Sequence, residues 1–240
     1  MQRYIVKPKD TFYLIAKEFN VPLAQLIKAN PQVINPNLIY EGQTIIIPDL
    51  PPIPNQLDVL DSNAEDMIDV IYAADWQKAI DMVNVIRTTM NALVPALQAA
   101  EVPNDVIFGI NAAIRSLEQN IAQRKTFSAI SQANRITQLI ADALDYFNVI
   151  IPTDVNRLDY FGRQIIVNVE QNDWAEANQN YLRAKMVWER LKPQLEVRYS
   201  NDVAQFDQIL NDLHAAIDRK DYQQAINNAN KMLDQVDILE

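Results

Sequence analysis

Apolar side chains recur at alternating spacings of three and four residues through most of the chain beyond residue 55. This spacing places them on one face of an α-helix, and such a face needs a partner that buries it. We expect the tryptophans on these stripes to be core residues, with Trp76 and Trp174 largely buried. Two stripes match position by position at an offset of 98 residues: Trp76, Ala79, Val83, Ile86, Met90, Leu93 and Leu97, then Trp174, Ala177, Tyr181, Ala184, Trp188, Leu191 and Leu195.

A shorter repeat lies within the 98-residue duplication. Aromatic residues at Trp76, Phe127, Trp174 and Tyr222 are spaced 51, 47 and 48 residues apart. Between them recur signatures of a helix N-terminus, in which a capping residue and an acid precede an apolar stripe. The repeat therefore predicts four helical hairpins, and Gly109 and Gly162 within them indicate close helix–helix approach.

The hairpins divide into two pairs because alternate hairpins are more alike than neighbours. Four helices are enough to close an antiparallel bundle around one core. We therefore predict helical hairpins 1 and 2 over residues 55–150 and hairpins 3 and 4 over residues 151–240. A continuous superhelical array of four hairpins is the alternative fold.

The first 48 residues follow a different pattern. The β-formers Tyr4–Val6 predict a strand that ends at Pro8, because proline donates no ladder hydrogen bond. Two short amphipathic stretches then predict two helices, and the β-branched run Thr44–Ile47 predicts a second strand. The order is βααβ, and the three prolines within residues 49–54 indicate an extended, semi-rigid linker.

These residues resemble the lysin motif (LysM), a family of small modules that bind N-acetylglucosamine (GlcNAc) glycans such as peptidoglycan and chitin. The resemblance rests on Tyr4–Ala16, on Ala29-Asn30-Pro31, and on the stretch from Asn35 to Pro48. It covers residues 1–48 and implies a multi-domain chain, with a LysM glycan-binding domain followed by an all-α region.

The resemblance also implies a binding groove between two loops. It departs from the family at Lys9, where glycine is usual, and at Glu41, where proline is frequent. A positive φ at Lys9 would strain the first loop. For Asp10 and Asn30, the alternative to ligand contact is a purely local role, as a helix cap and as a turn residue. By position, the glycan-binding candidates are Pro8, Lys9, Asp10, Thr11, Phe12, Asn30, Pro31, Gln32, Val33, Ile34 and Ile39.

Charge and composition restrict the partners. The net charge is −10, and residues 1–50 hold five basic and four acidic side chains, so the acidity lies in the helical region. Such a surface repels phosphate backbones, which argues against nucleic-acid binding. No apolar run is long enough for membrane insertion, and no signal peptide is visible before the first strand, so either a leader has been removed or the chain is made and kept in the cytosol. We expect cytoplasmic synthesis with association to a spore envelope or cell wall, as in LysM proteins of spore-forming bacteria.

Candidate chemistry in the helical region is sparse. The chain has no cysteine and one histidine, His214, so a thiolate site is excluded and a di-iron site lacks ligands. No cofactor or metal is implied, and we expect no enzymatic activity. The expected function is binding of peptidoglycan or another GlcNAc polymer, with the helical region as a scaffold or protein-binding surface. The alternatives are a glycan hydrolase targeted to the wall and an assembly protein with a degenerate LysM.

Overall fold

The N-terminal module, residues 2–48, is a two-stranded sheet with two helices. In the computed structural model, β1 spans Gln2–Ile5, α1 Phe12–Glu18, α2 Leu23–Lys28 and β2 Thr44–Ile47. The strands are antiparallel, with Gln2 opposite Ile47. This confirms the βααβ order. The module has its own core: Tyr4, Val6, Phe12, Ile15, Ala16, Leu26, Val33, Ile45 and Ile47.

Eight further helices follow the module in the part of the chain that the structure describes, residues 2–19, 21–195 and 200–239. They pack in hairpin pairs, as the repeat predicts. Their bounds are α3 Asn55–Tyr72, α4 Trp76–Ala99, α5 Asn104–Ala122, α6 Thr126–Leu144, α7 Asp154–Glu170, α8 Trp174–Leu195, α9 Ser200–Asp218 and α10 Tyr222–Leu239.

The helices close into two rings of four. In the first ring each helix packs on the next and α6 returns to α3; in the second, α10 returns to α7. Each ring encloses a separate apolar core. Helix α6 also packs on α7, which joins the two bundles side by side. This closure favours two four-helix bundles over a continuous array, because an array would leave the first and fourth helices of each set apart.

The two apolar stripes face these cores, with one correction. Every stripe residue after the first is buried, from Ala79 to Leu97 in α4 and from Ala177 to Leu195 in α8. Trp76 and Trp174 are only partly buried, so the prediction that they are largely buried is wrong. Each is the first residue of its helix, and it packs on the end of the core instead of within it.

The hairpin turns share one backbone conformation. In each turn, the residue immediately before the N-cap of the following helix has a left-handed φ between 51° and 59°. These residues are Ala74, Arg124, Asn172 and Lys220. The following amide closes the previous helix by bonding a carbonyl five residues earlier, as Asp75 N does to Val70 O at 3.1 Å. This is the Schellman arrangement, which normally favours glycine. The chain makes these turns without glycine.

Three of these turns end in an aspartate that caps the next helix. Asp75, Asp173 and Asp221 each accept a hydrogen bond from a backbone amide three residues later, at 3.1 to 3.2 Å. The fourth turn has Lys125 at this position, and its side chain makes no capping bond. These three aspartates are therefore helix N-caps.

Both helical glycines lie at close helix contacts, as predicted. A Cβ added to Gly109 in α5 would lie 3.3 Å from the methyls of Leu139 in α6. A Cβ added to Gly162 in α7 would lie 2.6 Å from Cδ2 of Leu233 in α10. Glycine therefore permits the tight α7–α10 packing that closes the second bundle.

The segment 49–54 runs across the junction of the two bundles. Asn148 N donates to Pro51 O at 2.8 Å, next to a parallel bridge between Pro52 and Asn148. The N-terminal module also contacts the helices directly. Lys28 Nζ lies 3.4 Å from Glu101 Oε2 and 5.4 Å from the ring centroid of Tyr146. The module therefore lies against the helices and is not held away from them.

Candidate functional site

The first candidate loop, between β1 and α1, is organised by Asp10. Its Oδ2 accepts hydrogen bonds from Lys7 N at 2.7 Å and from the Tyr4 hydroxyl at 2.8 Å. The Lys7 amide and then the Tyr4 hydroxyl lower the pKa of Asp10 below its usual value. The same hydroxyl bond to Asp10 raises the pKa of Tyr4 to about 12. Asp10 thus ties the loop to the strand that precedes it.

Most other residues of this loop are exposed, and one of them has a strained backbone conformation. Lys9 has φ of 72°, the left-handed region in which glycine is favoured. Thr11 caps α1 by accepting from Leu14 N at 3.1 Å. Phe12 is buried in the module's core, whereas Pro8 is exposed. The departure from the family at Lys9 therefore falls on the residue whose backbone most needs glycine.

The second candidate loop follows α2 and is fixed by Asn30, which is 1% exposed. Its Nδ2 donates to Leu26 O and Ile46 O at 2.8 and 2.7 Å. Its Oδ1 accepts from Ile46 N at 2.7 Å and from Gln32 Nε2 at 2.9 Å. All of its hydrogen-bonding capacity is therefore used to join the end of α2 to β2.

The predicted site residues divide into two groups by exposure. Asp10, Phe12, Asn30 and Val33 are held by hydrogen bonds or buried in the core, and Ile39 is partly buried against it. The remaining six are exposed, and Ile34 is the extreme case at 97%. A ligand on these loops would meet the exposed group: Pro8, Lys9, Thr11, Pro31, Gln32 and Ile34.

Two further apolar residues of the second loop were missed by sequence reasoning. Leu38 is 53% exposed and Tyr40 is 64% exposed. Both belong to the segment between Asn35 and Gly42, where turns satisfy the backbone and leave the side chains outside. The sequence feature that could have identified them is an apolar residue close to a run of asparagine and proline. No helix or strand is expected there to bury such a residue. Aromatic side chains such as Tyr40 offer a flat apolar surface with a polar tip.

This two-loop frame agrees with a comparison with known families. Residues 4–48 match the LysM domain family. These residues are a LysM domain. The match implies binding of peptidoglycan or a related GlcNAc glycan, and it leaves residues 49–240 unassigned. No solved structure gives a significant match to the chain.

Outside the LysM domain, one acidic cluster at the junction of α6 and α7 is engaged in ion pairs. Arg157 binds Asp142, Asp145 and Asp154 at 2.9, 2.7 and 3.1 Å. Burial disfavours the charged form of Arg157, whereas the neighbouring Asp145 carboxylate favours it. The favourable interactions prevail, so the pKa of Arg157 is raised. Among the described residues, no group of three or more acids or histidines is placed to hold a metal ion.

The single histidine is also explained by packing. The His214 ring stacks on Tyr181, with centroids 4.5 Å apart and planes 6° from parallel. Its Nε2 lies 3.6 Å from Asp218 Oδ1 on the same helix. None of the helices, over the residues described, has the length and apolarity to cross a membrane.

Two cavities lie where the LysM domain meets the helices. One, of about 440 Å³, is lined by Pro48 at the end of the module, by Asp49 and Leu50 of the linker, and by Phe19 and Asn148. The other, of about 510 Å³, lies between helices α1 and α2 of the LysM domain and the segment that joins the two bundles. Neither cavity is lined by the predicted glycan-binding residues.

Proposed function

We propose that this chain is a non-catalytic glycan-binding protein of the cell wall or spore envelope. Its LysM domain binds peptidoglycan or a chitin-like GlcNAc polymer through the exposed residues of the two loops. The two acidic bundles act as a scaffold or a protein-binding surface. The observation that carries the proposal is the LysM match over residues 4–48 on a module whose two loops are complete and rigidly fixed.

The chemistry of the loops suits an N-acetyl sugar. Such a ligand offers a methyl group, an amide and several hydroxyls, so it needs a small apolar contact beside polar partners. Ile34 supplies an almost fully exposed apolar side chain, and Gln32 supplies an amide held by Asn30. Because Asn30 and Asp10 fix the backbone, little ordering is needed when the ligand binds.

The absence of catalysis is part of the proposal. Glycoside hydrolysis uses two carboxyl groups that flank the scissile bond. The two carboxylates in the larger cavity, Asp145 and Asp154, are both ion-paired to arginines. Glu65 is likewise paired with Arg163. These acids therefore already have structural partners in the fold.

A second candidate function is assembly by a LysM domain that no longer binds sugar. Lys9 favours it, because a lysine with φ of 72° strains the first loop. Its long side chain also stands at a position where the family usually has none. The helical bundles would then carry the function through a protein partner.

The experiment that tests the proposal is sedimentation of the full chain with insoluble peptidoglycan and with chitin. We expect binding to both, and we expect Ile34→Asp to weaken it several-fold. Phe108→Asp is the control, because Phe108 is 67% exposed on α5 and lines neither cavity. Failure to bind either polymer would favour the assembly function. Cleared bands on a peptidoglycan zymogram would instead establish a hydrolase.

A further inference from the structure

The larger cavity between the LysM domain and the helices has one apolar wall and one charged wall. The apolar wall comes from the LysM helix α2, where Leu23 and Ile27 are 37% and 36% exposed. Val149 and Pro152 extend it on the helical side. Its volume of about 510 Å³ is within the range of small-molecule sites, which are roughly 300–1,000 Å³.

The charged wall is rigid. The Arg157 side chain is 13% exposed and binds Asp145 at 2.7 Å. The Asp154 side chain is 9% exposed, and Arg190 binds both of its oxygens, at 2.6 and 2.5 Å. Thr153 also donates to Asp145, at 2.5 Å. These bonds cross from α6 to α7 and from α7 to α8, so helix packing fixes the wall.

The charges of the helical wall largely cancel, and the LysM side adds one cationic residue, Lys17, to the lining. Asp145 and Asp154 face Arg157 and Arg190, and each carboxylate already has a guanidinium partner. A strongly charged ligand would have to disrupt these pairs. A neutral ligand with several hydroxyls can bond to their outer edges and place its apolar face on Leu23 and Ile27. Among common biological ligands, a saccharide combines these two surfaces.

We propose that this cavity is a second saccharide site, which takes one or two neutral sugar residues of the glycan. The site exists only when the LysM domain lies against the helices, because each contributes one wall. The helical region then participates directly in glycan binding. The inference rests on the proposed glycan binding, but it concerns different residues from the two LysM loops.

The test is a titration of the full chain with chitotriose, followed by NMR of labelled isoleucine, leucine and valine methyl groups. Leu23, Ile27 and Val149 report on the cavity. Ile34 and Ile39 report on the loops of the LysM domain. Ile110, which is buried in the first bundle, is the reference. We expect both reporter sets to shift on addition of the sugar and the reference to stay in place.

A variant that fills the cavity separates the two sites. Ala24 lines the cavity and is exposed, so Ala24→Trp should fold and block it. Ala112→Trp, on an exposed position of α5, is the matched control. We expect Ala24→Trp to abolish the cavity shifts, to keep the loop shifts, and to weaken peptidoglycan binding roughly fivefold or more. Leu23→Gln, which removes the apolar contact, should have the same effect if Ala24→Trp does not fold.

The outcomes distinguish this inference from the proposed function. If Ile34 and Ile39 shift while the cavity methyls do not, the second site is wrong and LysM binding stands. If neither set shifts with chitotriose or with peptidoglycan fragments, the proposed function itself fails. If the cavity methyls shift equally in Ala24→Trp, the sugar lies elsewhere and the inference is overturned.

Discussion

Glu65 and Arg163 occupy matching positions of the two bundles, 98 residues apart, and bind each other with 3.0 Å between Oε1 and Nη1. About two helical turns further along, the Tyr72 hydroxyl donates to Glu170 at 2.6 Å, again 98 residues away. Because both pairs keep the same order, α3 and α7 run in the same direction. The duplicated bundles therefore meet through equivalent positions of their first helices.

The junction of the bundles combines apolar packing, through Val167 of α7, with further polar bonds. Arg163 also binds Asp159 at 3.1 Å, and Asn134 donates to Tyr160 O at 3.0 Å. Burial opposes the charge of Arg163, and Asp159 and Glu65 more than compensate, so the pKa of Arg163 is raised. The arginine stays cationic throughout the range in which proteins are folded, and the relative position of the bundles should not change with pH through this group.

The glycine contacts give the first stability prediction. Gly162→Ala should destabilise the chain relative to Gly109→Ala by roughly 1–3 kcal/mol, because its new Cβ meets Leu233 at 2.6 Å instead of Leu139 at 3.3 Å. Both variants gain the same helix propensity, so their difference isolates the packing cost. Chemical denaturation measures it. Equal stabilities would show that the Leu233 side chain shifts aside without cost.

The three tryptophans should differ in their contribution to stability. Trp188 is fully buried, stacks on Phe206 at 4.1 Å and donates to Asp207 at 2.7 Å. Trp188→Ala should cost about 3–5 kcal/mol. Trp76→Ala and Trp174→Ala should each cost roughly 1–2 kcal/mol, because these partly buried rings bury less apolar area. Thermal melts of the full chain compare them, and equal costs at all three positions would contradict the burial assignment.

Lys9 gives a prediction for the LysM loop. Lys9→Gly should stabilise the domain by about 1 kcal/mol, because glycine adopts the left-handed region without a steric penalty. Lys7→Gly, two residues earlier and outside that region, is the control and should not stabilise it. Melting of the two variants against the parent tests this. A loss of stability in Lys9→Gly would mean that the lysine side chain compensates for its backbone strain.

The stability of the LysM domain should fall at acid pH because of Asp10. The folded-state pKa of Asp10 is lowered from 3.8, so its contribution is present above that pH and is lost as pH falls through the folded value. Asp10→Asn should flatten the fall in Tm as the pH drops below 3.8. Tyr4→Phe removes one of the two donors and should give an intermediate slope. Parallel curves for all three proteins would refute the assignment.

The sequence predicted the parts of the fold that depend on local spacing. The stripe from Ala79 to Leu97 is recognisable because it depends on neighbours within one helix. The end position of Trp76 was missed, because a stripe does not show where its core stops. The left-handed turn at Ala74 was missed as well, since no glycine marks it.

The candidate site was predictable only in outline. The two loops followed from the LysM resemblance, and the strain at Lys9 followed from its missing glycine. For Asn30 the sequence left ligand contact and a local turn role as alternatives. Its hydrogen bonds to Ile46 could not be predicted, because Ile46 is 16 residues away. The cavity between the LysM domain and the helices had no local signal, since its walls come from segments more than 100 residues apart. Long-range packing of this kind cannot be read from spacing.

The most direct test of the account is a titration of residues 1–50 alone with chitin oligomers, followed by amide NMR shifts. The fragment should fold, because the LysM core contains no helical-region residue. We expect weak binding, with Kd in the high-micromolar to millimolar range, or roughly −4 to −6 kcal/mol. Shifts should concentrate at residues 8–13 and 30–35. A folded fragment with no shifts, from either chitin oligomers or peptidoglycan fragments, would contradict glycan binding by this domain.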